Sequence, residues 1–414
     1  MLNPETKIRE LAYIVKIDNI EPIVGSDNCE AAIVGGWKIM TRKGTFKKGD
    51  LALYFEIDSQ VPATEQFAFL EKKHYKVKTQ KYTFGGKGNF ISQGLLMSAK
   101  DFGGTIYQDG SGIYYFHING KSYAEGDFLT QDLGVTYADA DDNKRKAKSA
   151  DKYKLMAQRR PDIFKKKWAQ WMMRRNWGKK IMFFFFGKKK DKKSQWPAWV
   201  KKTDEERVQN MPWILQDKSE WFATEKIDGT STTFTMKGYG RKREFYTCSR
   251  NVVFDKPDKN CYYETNVYTE MCEKYNMENV LDCLMTFFEN TNQRDVEFVT
   301  IQGETYGEGI QKRDYGLKGH DFMAFNLIVG FKDGEVKRFN PSVMTTILTN
   351  YGIPCVPIVN EYFILPDTID ELLAIATDKS AIDGGMREGL VFRSSDGERS
   401  FKAVSNEFLM KYHS

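Results

Sequence analysis

The segment Glu225-Lys226-Ile227-Asp228-Gly229 sets one primary amine between two carboxylates and close to a glycine. A lysine is a nucleophile only as the free amine, and at an unperturbed pKa of about 10.4 roughly 1 in 10³ to 10⁴ would be neutral near pH 7. A site that uses this amine must lower its pKa, and nearby cations do that. Lys-x-Asp-Gly alone is a short motif that reads equally well as a charged hairpin turn. Its weight comes from the ordered segments downstream: Ser249-Arg250-Asn251, Gly303-Glu304, Phe322-Met323-Ala324-Phe325, Glu388-Gly389-Leu390-Val391-Phe392-Arg393 and Ser400-Phe401-Lys402.

In that order these segments resemble motifs I, Ia, III, IIIa, IV and V of the covalent nucleotidyltransferase superfamily of ligases and capping enzymes, over roughly residues 213–411. The nearest likeness is to ATP-dependent RNA ligases of the Deinococcus and Naegleria type, RNA ligase family 5, which carry an OB domain in front of the catalytic domain. Gly36-Trp37, Glu56-Ile57-Asp58-Ser59 and Ser92-Gln93-Gly94-Leu95 look like that leading domain, and Lys202-Thr203-Asp204-Glu205-Glu206-Arg207 looks like the lead-in to motif I.

The resemblance implies that Lys226 takes AMP from ATP as a phosphoramidate. Lys402 would favour the uncharged amine and neutralise phosphate. Asp228, Glu304 and Glu388 would hold Mg²⁺ or Mn²⁺, hard cations that take oxygen ligands, often through water. Phe325 and Val391 would wall the adenine, Arg250 would contact the ribose or a terminal nucleotide, and Glu225 and Gly229 complete the nucleotide-binding set. Each assignment has an ordinary counterpart: solvent-facing acids, core strand residues, and a surface ion pair for Arg250. One departure stands out. Several relatives carry a second lysine two places after the first in motif V, where this chain has Val404, leaving Arg399 or Lys411 as candidate replacements.

These residues need a scaffold, and the pattern predicts an α+β chain in three parts. Residues 1–135 read as an OB-like β-barrel, from short strands at 11–17, 31–42 and 51–57 punctuated by glycines. Leu51, Leu53, Phe55 and Ile57 alternate as in a half-buried strand. Residues 136–210 form a basic, Trp-rich helical connector in which Phe164, Trp168, Trp171 and Met172 make a stripe at helical spacing. Residues 211–414 form the ATP-grasp-like nucleotidyltransferase, or adenylation, domain of antiparallel sheets and helices. Within it, 221–225 and 231–236 read as strands around a turn at Asp228-Gly229, 296–303 as a strand, and 322–329 with 335–339 as a hairpin across Asp333-Gly334. Asn340-Pro341 starts a helix that Gly352 stops, and Thr368-x-x-Glu371 is a capping box.

Composition sets the limits. In 414 residues the hydrophobic fraction is 41% and the longest apolar run, 181–186, is six residues, against the ~20 that span a bilayer. The chain opens without a signal-peptide layout, so no membrane association and a cytoplasmic setting are expected. Six scattered cysteines without a C-x-x-C pair point to buried free thiols rather than zinc or disulfides. Residues 144–202 hold 22 Lys and Arg against three acids, a local balance of +19 in a chain of net +6, so the remainder stands at −13. Five of eight tryptophans, Trp168, Trp171, Trp177, Trp196 and Trp199, fall inside that basic stretch and could stack on bases. A basic, aromatic segment on acidic domains predicts a polyanion partner.

The resemblance therefore implies a monomeric enzyme that joins RNA 3′-hydroxyl and 5′-phosphate ends, at breaks in RNA or in RNA-containing duplexes. DNA ligases and capping enzymes place an OB domain after motif V, whereas twelve residues follow Lys402 here. Those two relatives, and a binding protein with an inert pocket, are the alternatives.

Overall fold

The structure is a computed structural model that describes residues 1–3, 8–86, 88–137, 161–164, 166–186, 196–250, 252–254 and 266–412. In the N-terminal part, the stretch 31–42 is not one strand. Cys29–Val34 and Trp37–Arg42 form a hairpin around Gly35-Gly36, both at positive φ (51° and 76°), as a two-residue turn between right-twisted strands requires. Asn19–Pro22 extends this sheet, while Leu51–Phe55 is the middle strand of another, between Ala12–Lys16 and Leu95–Met97.

The middle strand corrects the half-buried expectation, because all five of its residues are buried. Leu51, Leu53 and Phe55 enter a core with Phe67, Leu70, Phe116 and Ile118. Ala52 and Tyr54 enter the opposite core with Trp37, Ile39 and Phe46. Successive side chains alternate in direction, and here both faces are covered, that of Leu51, Leu53 and Phe55 by the sheet of Thr105–Gln108, Tyr114–Ile118 and Lys121–Tyr123 and by a 3₁₀ segment at Glu65–Lys73.

The C-terminal part is built on two antiparallel sheets. One has the order Ile358–Ile364, Glu220–Lys226, Gly389–Ser394, Ser400–Val404. The other has the order Val253–Phe254, Glu244–Cys248, Thr230–Lys237, Val296–Gly307, His320–Phe331, Val336–Arg338. Helix Met277–Asn292 lies on the six-stranded sheet because Met277, Val280, Leu281, Leu284, Met285 and Phe288 recur on one face at helical spacing. Helix Ile369–Ala376, capped by the reciprocal Thr368/Glu371 box, buries Leu372 and Leu373 on the four-stranded sheet. Asn340 caps helix Pro341–Thr349 through Val343 N–H, and the 331–336 turn closes the expected hairpin.

The strands on either side of Asp228-Gly229 exist but do not pair with each other. Glu220–Lys226 belongs to the first sheet and Thr230–Lys237 to the second. Ile227-Asp228-Gly229 therefore carries the chain between sheets, and a cleft opens at the crossing.

The basic segment folds into helices Pro161–Phe164, Lys167–Met173 and Asn176–Phe186, packed together through Phe164, Ala169 and Met182. The expected stripe is split. Phe164 and Met172 face this small core, while Trp168 and Trp171 are exposed, because the helix is interrupted before Lys167 and the spacing does not continue across it. The rest of 144–202 lies partly outside the described residues. The five described cysteines are free, and only Cys248 is buried, so the buried-thiol expectation fits one of the five. Among the described residues no helix is long and apolar enough to cross a membrane.

The barrel packs directly on the catalytic half. Ile91 meets Val404 and Leu409, and Lys81 Nζ donates to the carbonyl of Met410 at 2.9 Å. Gly36 abuts Ile369 so closely that a Cβ there would lie 2.5 Å from its Cγ2.

Candidate active site

Strand alternation decides what faces the cleft. Along Gly389–Ser394, Leu390 and Phe392 are buried in the sheet core and Val391 is left between them on the other face. Along His320–Phe331, Phe322 and Ala324 are core while Met323 and Phe325 turn to the cleft. Register places Lys402 directly across from Val391, and Lys226 at the end of its strand across from Gly389. Glu304 comes from the second sheet, opposite Ser231, whose hydroxyl donates to its Oε2 at 3.2 Å.

The result is a cavity of about 300 Å³ walled by Glu225, Lys226, Gly229, Arg250, Glu304, Phe325, Val391 and Lys402, among others. Gly229 is glycine for a steric reason. The crossing lies so close to the Glu304 strand that a Cβ would sit 2.4 Å from the Thr305 carbonyl oxygen and 2.8 Å from Glu304 Cγ. Asp228 is buried outside the cavity wall and its amide donates to Tyr315 Oη at 2.7 Å. Glu388 is also outside the wall but reaches in, with Oε2 2.8 Å from Lys226 Nζ.

Burial pushes the Lys226 amine toward neutrality, but Glu388, Glu304 and Asp228 outweigh it and hold its pKa above the ordinary value. The sequence asks for a depressed nucleophile, and the fold does the opposite, because the carboxylates around the amine favour its ammonium form. Glu304 responds in kind: burial pushes its carboxyl up to about 8, with Lys226 pulling it down. Lys402 is lowered to about 8 by burial and by the positive charges of Lys226 and Arg207.

Among the described residues no three His, Cys, Asp or Glu side chains converge into a finished cation cage. A hard divalent ion that keeps part of its water shell takes one or two carboxylates plus phosphate oxygens, which does not require such a cage. Glu304 and Glu388 both act electrostatically on the Lys226 amine. The Glu225 carboxylate is engaged by Ser380 Oγ at 2.5 Å and by the Ala381 amide at 2.8 Å. Arg250 pairs with Asp204 at 2.8 Å on the cavity wall, and its motif neighbour Asn251 lies outside the described residues.

The lead-in segment contributes more than its sequence suggests. Thr203, Asp204 and Glu205 wall the cavity, Glu206 accepts the Lys402 amide at 2.8 Å, and Arg207 bridges Lys402 in parallel. Glu205 also receives Arg393 Nη2 at 3.2 Å. Arg207 points a buried Nη1 with no hydrogen-bond partner and lies 5.6 Å over the Trp37 ring of the barrel. Its place in the sequence gives it no role, and only the fold sets this cation beside Lys402. Neither candidate for the missing motif V lysine walls the cavity: Arg399 pairs with Asp217 over Trp221, and Lys411 lies by Tyr412. Val404, in the lysine's place, is 2% exposed against Ile91 of the barrel.

Comparison with known proteins agrees with this arrangement. Residues 219–413 match the RNA ligase family model and residues 11–98 an OB-fold domain. No curated protein matches the chain by sequence. A solved structure of Naegleria gruberi RNA ligase with PPi is 26% identical, with a TM-score of 0.60 over 98% of this chain and 99% of that one. A lysine-to-alanine variant of that ligase with ATP and Mn is 25% identical, with a TM-score of 0.63 over 98% of this chain and 99% of that one. A second such variant with ATP and Mn, also 25% identical, gives 0.59 over 98% of each chain. Residues 219–413 thus match the RNA ligase family, behind an OB fold, in a chain that resembles the ATP-dependent RNA ligases of the Deinococcus and Naegleria type.

Proposed function

We propose that the chain is an ATP-dependent RNA ligase in which Lys226 carries AMP from the cofactor to an RNA end. The observation that carries this reading is the sharing of one cavity by Lys226, Lys402 and Glu304 at one set of strand ends and by Phe325 and Val391 as apolar walls. Its volume of about 300 Å³ sits at the lower end of ligand pockets, roughly 300–1,000 Å³. Phe325 and Val391 take the base, and Lys402 and Arg207 take phosphate charge. Arg250 stands at the rim for ribose or a terminal nucleotide.

In the first step the Lys226 amine, having lost its proton, forms an N–P bond to the α-phosphorus of ATP as the bond to pyrophosphate breaks. An oxygen of an RNA 5′-phosphate then attacks that phosphorus, the N–P bond breaks and the amine is restored. Finally a 3′-hydroxyl attacks the capped RNA phosphate, giving up its proton as a phosphodiester forms and AMP leaves. A divalent ion, Mg²⁺ or Mn²⁺, supplies neutralisation of phosphate charge when bound. Glu304 and Glu388 would hold it, with Asp228 buried behind the turn to support them. The Glu388 carboxylate that keeps the Lys226 amine protonated is thus also a group that would hold the ion. Glu225 and Gly229 fix the strand end and the crossing that aim the amine.

The same reading takes in the remaining expectations: a cytoplasmic monomer acting in RNA repair, built of residues 1–135, 136–210 and 211–414, on RNA or RNA-containing duplexes with 3′-hydroxyl and 5′-phosphate ends. Incubation with α-labelled ATP and Mg²⁺ or Mn²⁺ is expected to leave label on the wild-type protein and none on Lys226→Ala. Label retained by the variant would move the nucleophile elsewhere. In a panel of nicked duplexes and free strands, an RNA 3′ end is expected to be sealed in preference to a DNA 3′ end, and equal sealing would overturn the substrate assignment.

A further inference from the structure

The helical insert buries one face and leaves its largest side chains outside. Phe164, Ala169 and Met182 close the small core, whereas Trp168, Trp171 and Trp177 are 51%, 50% and 51% exposed. Trp168 and Trp171 are three residues apart on helix Lys167–Met173 and so share a face. Trp177 meets Trp171 edge-on at 6.1 Å, and the Arg175 guanidinium lies 3.8 Å over the Trp171 ring. Lys166, Lys167, Arg174 and Lys180 are exposed around them. The other two tryptophans of the segment belong to the framework: the indole N–H of Trp196 donates to the Val200 carbonyl, and that of Trp199 to Thr235 Oγ1.

We infer that Trp168, Trp171 and Trp177, with the cations around them, form a stacking surface for an unpaired stretch of the RNA substrate. Charge selects a polyanion, since the +19 of residues 144–202 stands in a chain whose remainder is −13. Indole faces select unpaired bases, because a duplex hides its base faces while a single strand offers them, and stacking tolerates any sequence. An anionic lipid surface is the less suitable partner. Met172, Met173 and Met182 are directed into the insert's own core, and among the described aliphatic side chains of these helices Ile181 alone is left exposed, too little apolar surface to enter a bilayer. In sequence the insert leads on to Thr203-Asp204-Glu205, which wall the cavity. The inference rests on the ligase reading for the strand's identity as substrate, and not for the binding itself.

The test uses the full chain and a fluorescent oligouridine RNA, with anisotropy read at several salt concentrations and uptake of labelled AMP measured in parallel. The Trp168→Ala/Trp171→Ala/Trp177→Ala variant is expected to bind the oligomer at least ~10-fold more weakly, given alanine-scan values for base stacking. Its AMP uptake should be unchanged, since none of the three residues walls the cavity. The corresponding triple Trp→Phe variant should keep most of the affinity, and Arg174→Gln/Arg175→Gln should lower the salt slope by about 1.4. Undiminished binding by the triple Ala variant overturns the inference, as does equal binding of a blunt RNA duplex. Capture by phosphatidylserine vesicles that the oligomer does not compete away also overturns it. Absence of AMP uptake by the parent protein sinks the ligase reading instead, so the two failures are distinguishable.

Discussion

Lys226 and Glu388 lie 2.8 Å apart in a buried pocket, and Glu304 adds a second carboxyl whose burial pushes it up to about 8. The ordinary value for such a group is 4.5, so the folded protein holds this proton more tightly than the unfolded chain does. Between about pH 4.5 and 8 that difference makes stability fall as pH rises, because the unfolded chain releases a proton that the native state still binds. Glu304→Gln removes the cost. Its thermal midpoint is expected to match wild type near pH 5 and to exceed it increasingly up to about pH 8, levelling off above, while AMP uptake is lost. A melting difference independent of pH would sink this account of Glu304. The trade is physically reasonable: a buried carboxylate that costs stability is a group of the kind a hard cation takes.

At the scale of elements, the decisive piece is the crossing from strand Glu220–Lys226 to strand Thr230–Lys237. It moves the chain between two sheets within three residues, and Gly229 lets it approach the Glu304 strand. Gly229→Ala places a methyl 2.4 Å from the Thr305 carbonyl oxygen, so the crossing must shift and the Lys226 amine with it. A displacement near 1 Å can cost on the order of 100-fold in rate. Single-turnover AMP uptake by Gly229→Ala is expected to fall by about that factor, and a rate within about threefold of wild type would show that the crossing tolerates the methyl. The pocket walls follow the same logic. Phe325 and Val391 are offered to the cleft because their neighbours along the strand are committed to the core.

Taken as one molecule, the barrel is part of the catalytic half's foundation. Val404, where relatives carry a lysine, is packed against Ile91, and Trp37 lies under Arg207 beside Lys402. Restoring the lysine here would bury a charge without a partner, a change on the order of 3 kcal/mol. Val404→Lys is expected to lower the thermal midpoint and to loosen the barrel, seen as faster proteolysis between the two parts. A variant as stable as wild type with faster AMP uptake would show instead that the position still addresses phosphate. Arg207→Ala provides the contrast within the same region, since it removes the cation beside Lys402 together with its contact to Trp37 of the barrel.

The ordered motifs and the alternation of the strands that carry them were readable from the residues alone. Lys226, Glu304, Phe325, Val391 and Lys402 could be named because they stand in ordered segments that resemble the nucleotidyltransferase motifs, and period two accounts for how Phe325 and Val391 leave the strand core. The capping box at Thr368 and the hairpin at 331–336 were equally local. What the chain's linear order could not disclose is pairing between distant segments. The Lys-x-Asp-Gly turn is a crossing between sheets, Leu51–Phe55 is covered on both faces, and Arg207 stands beside Lys402 across 195 positions of sequence. The charge of Lys226 belongs to the same class: its sign depends on carboxylates 78 and 162 residues away, which only folding brings to the amine.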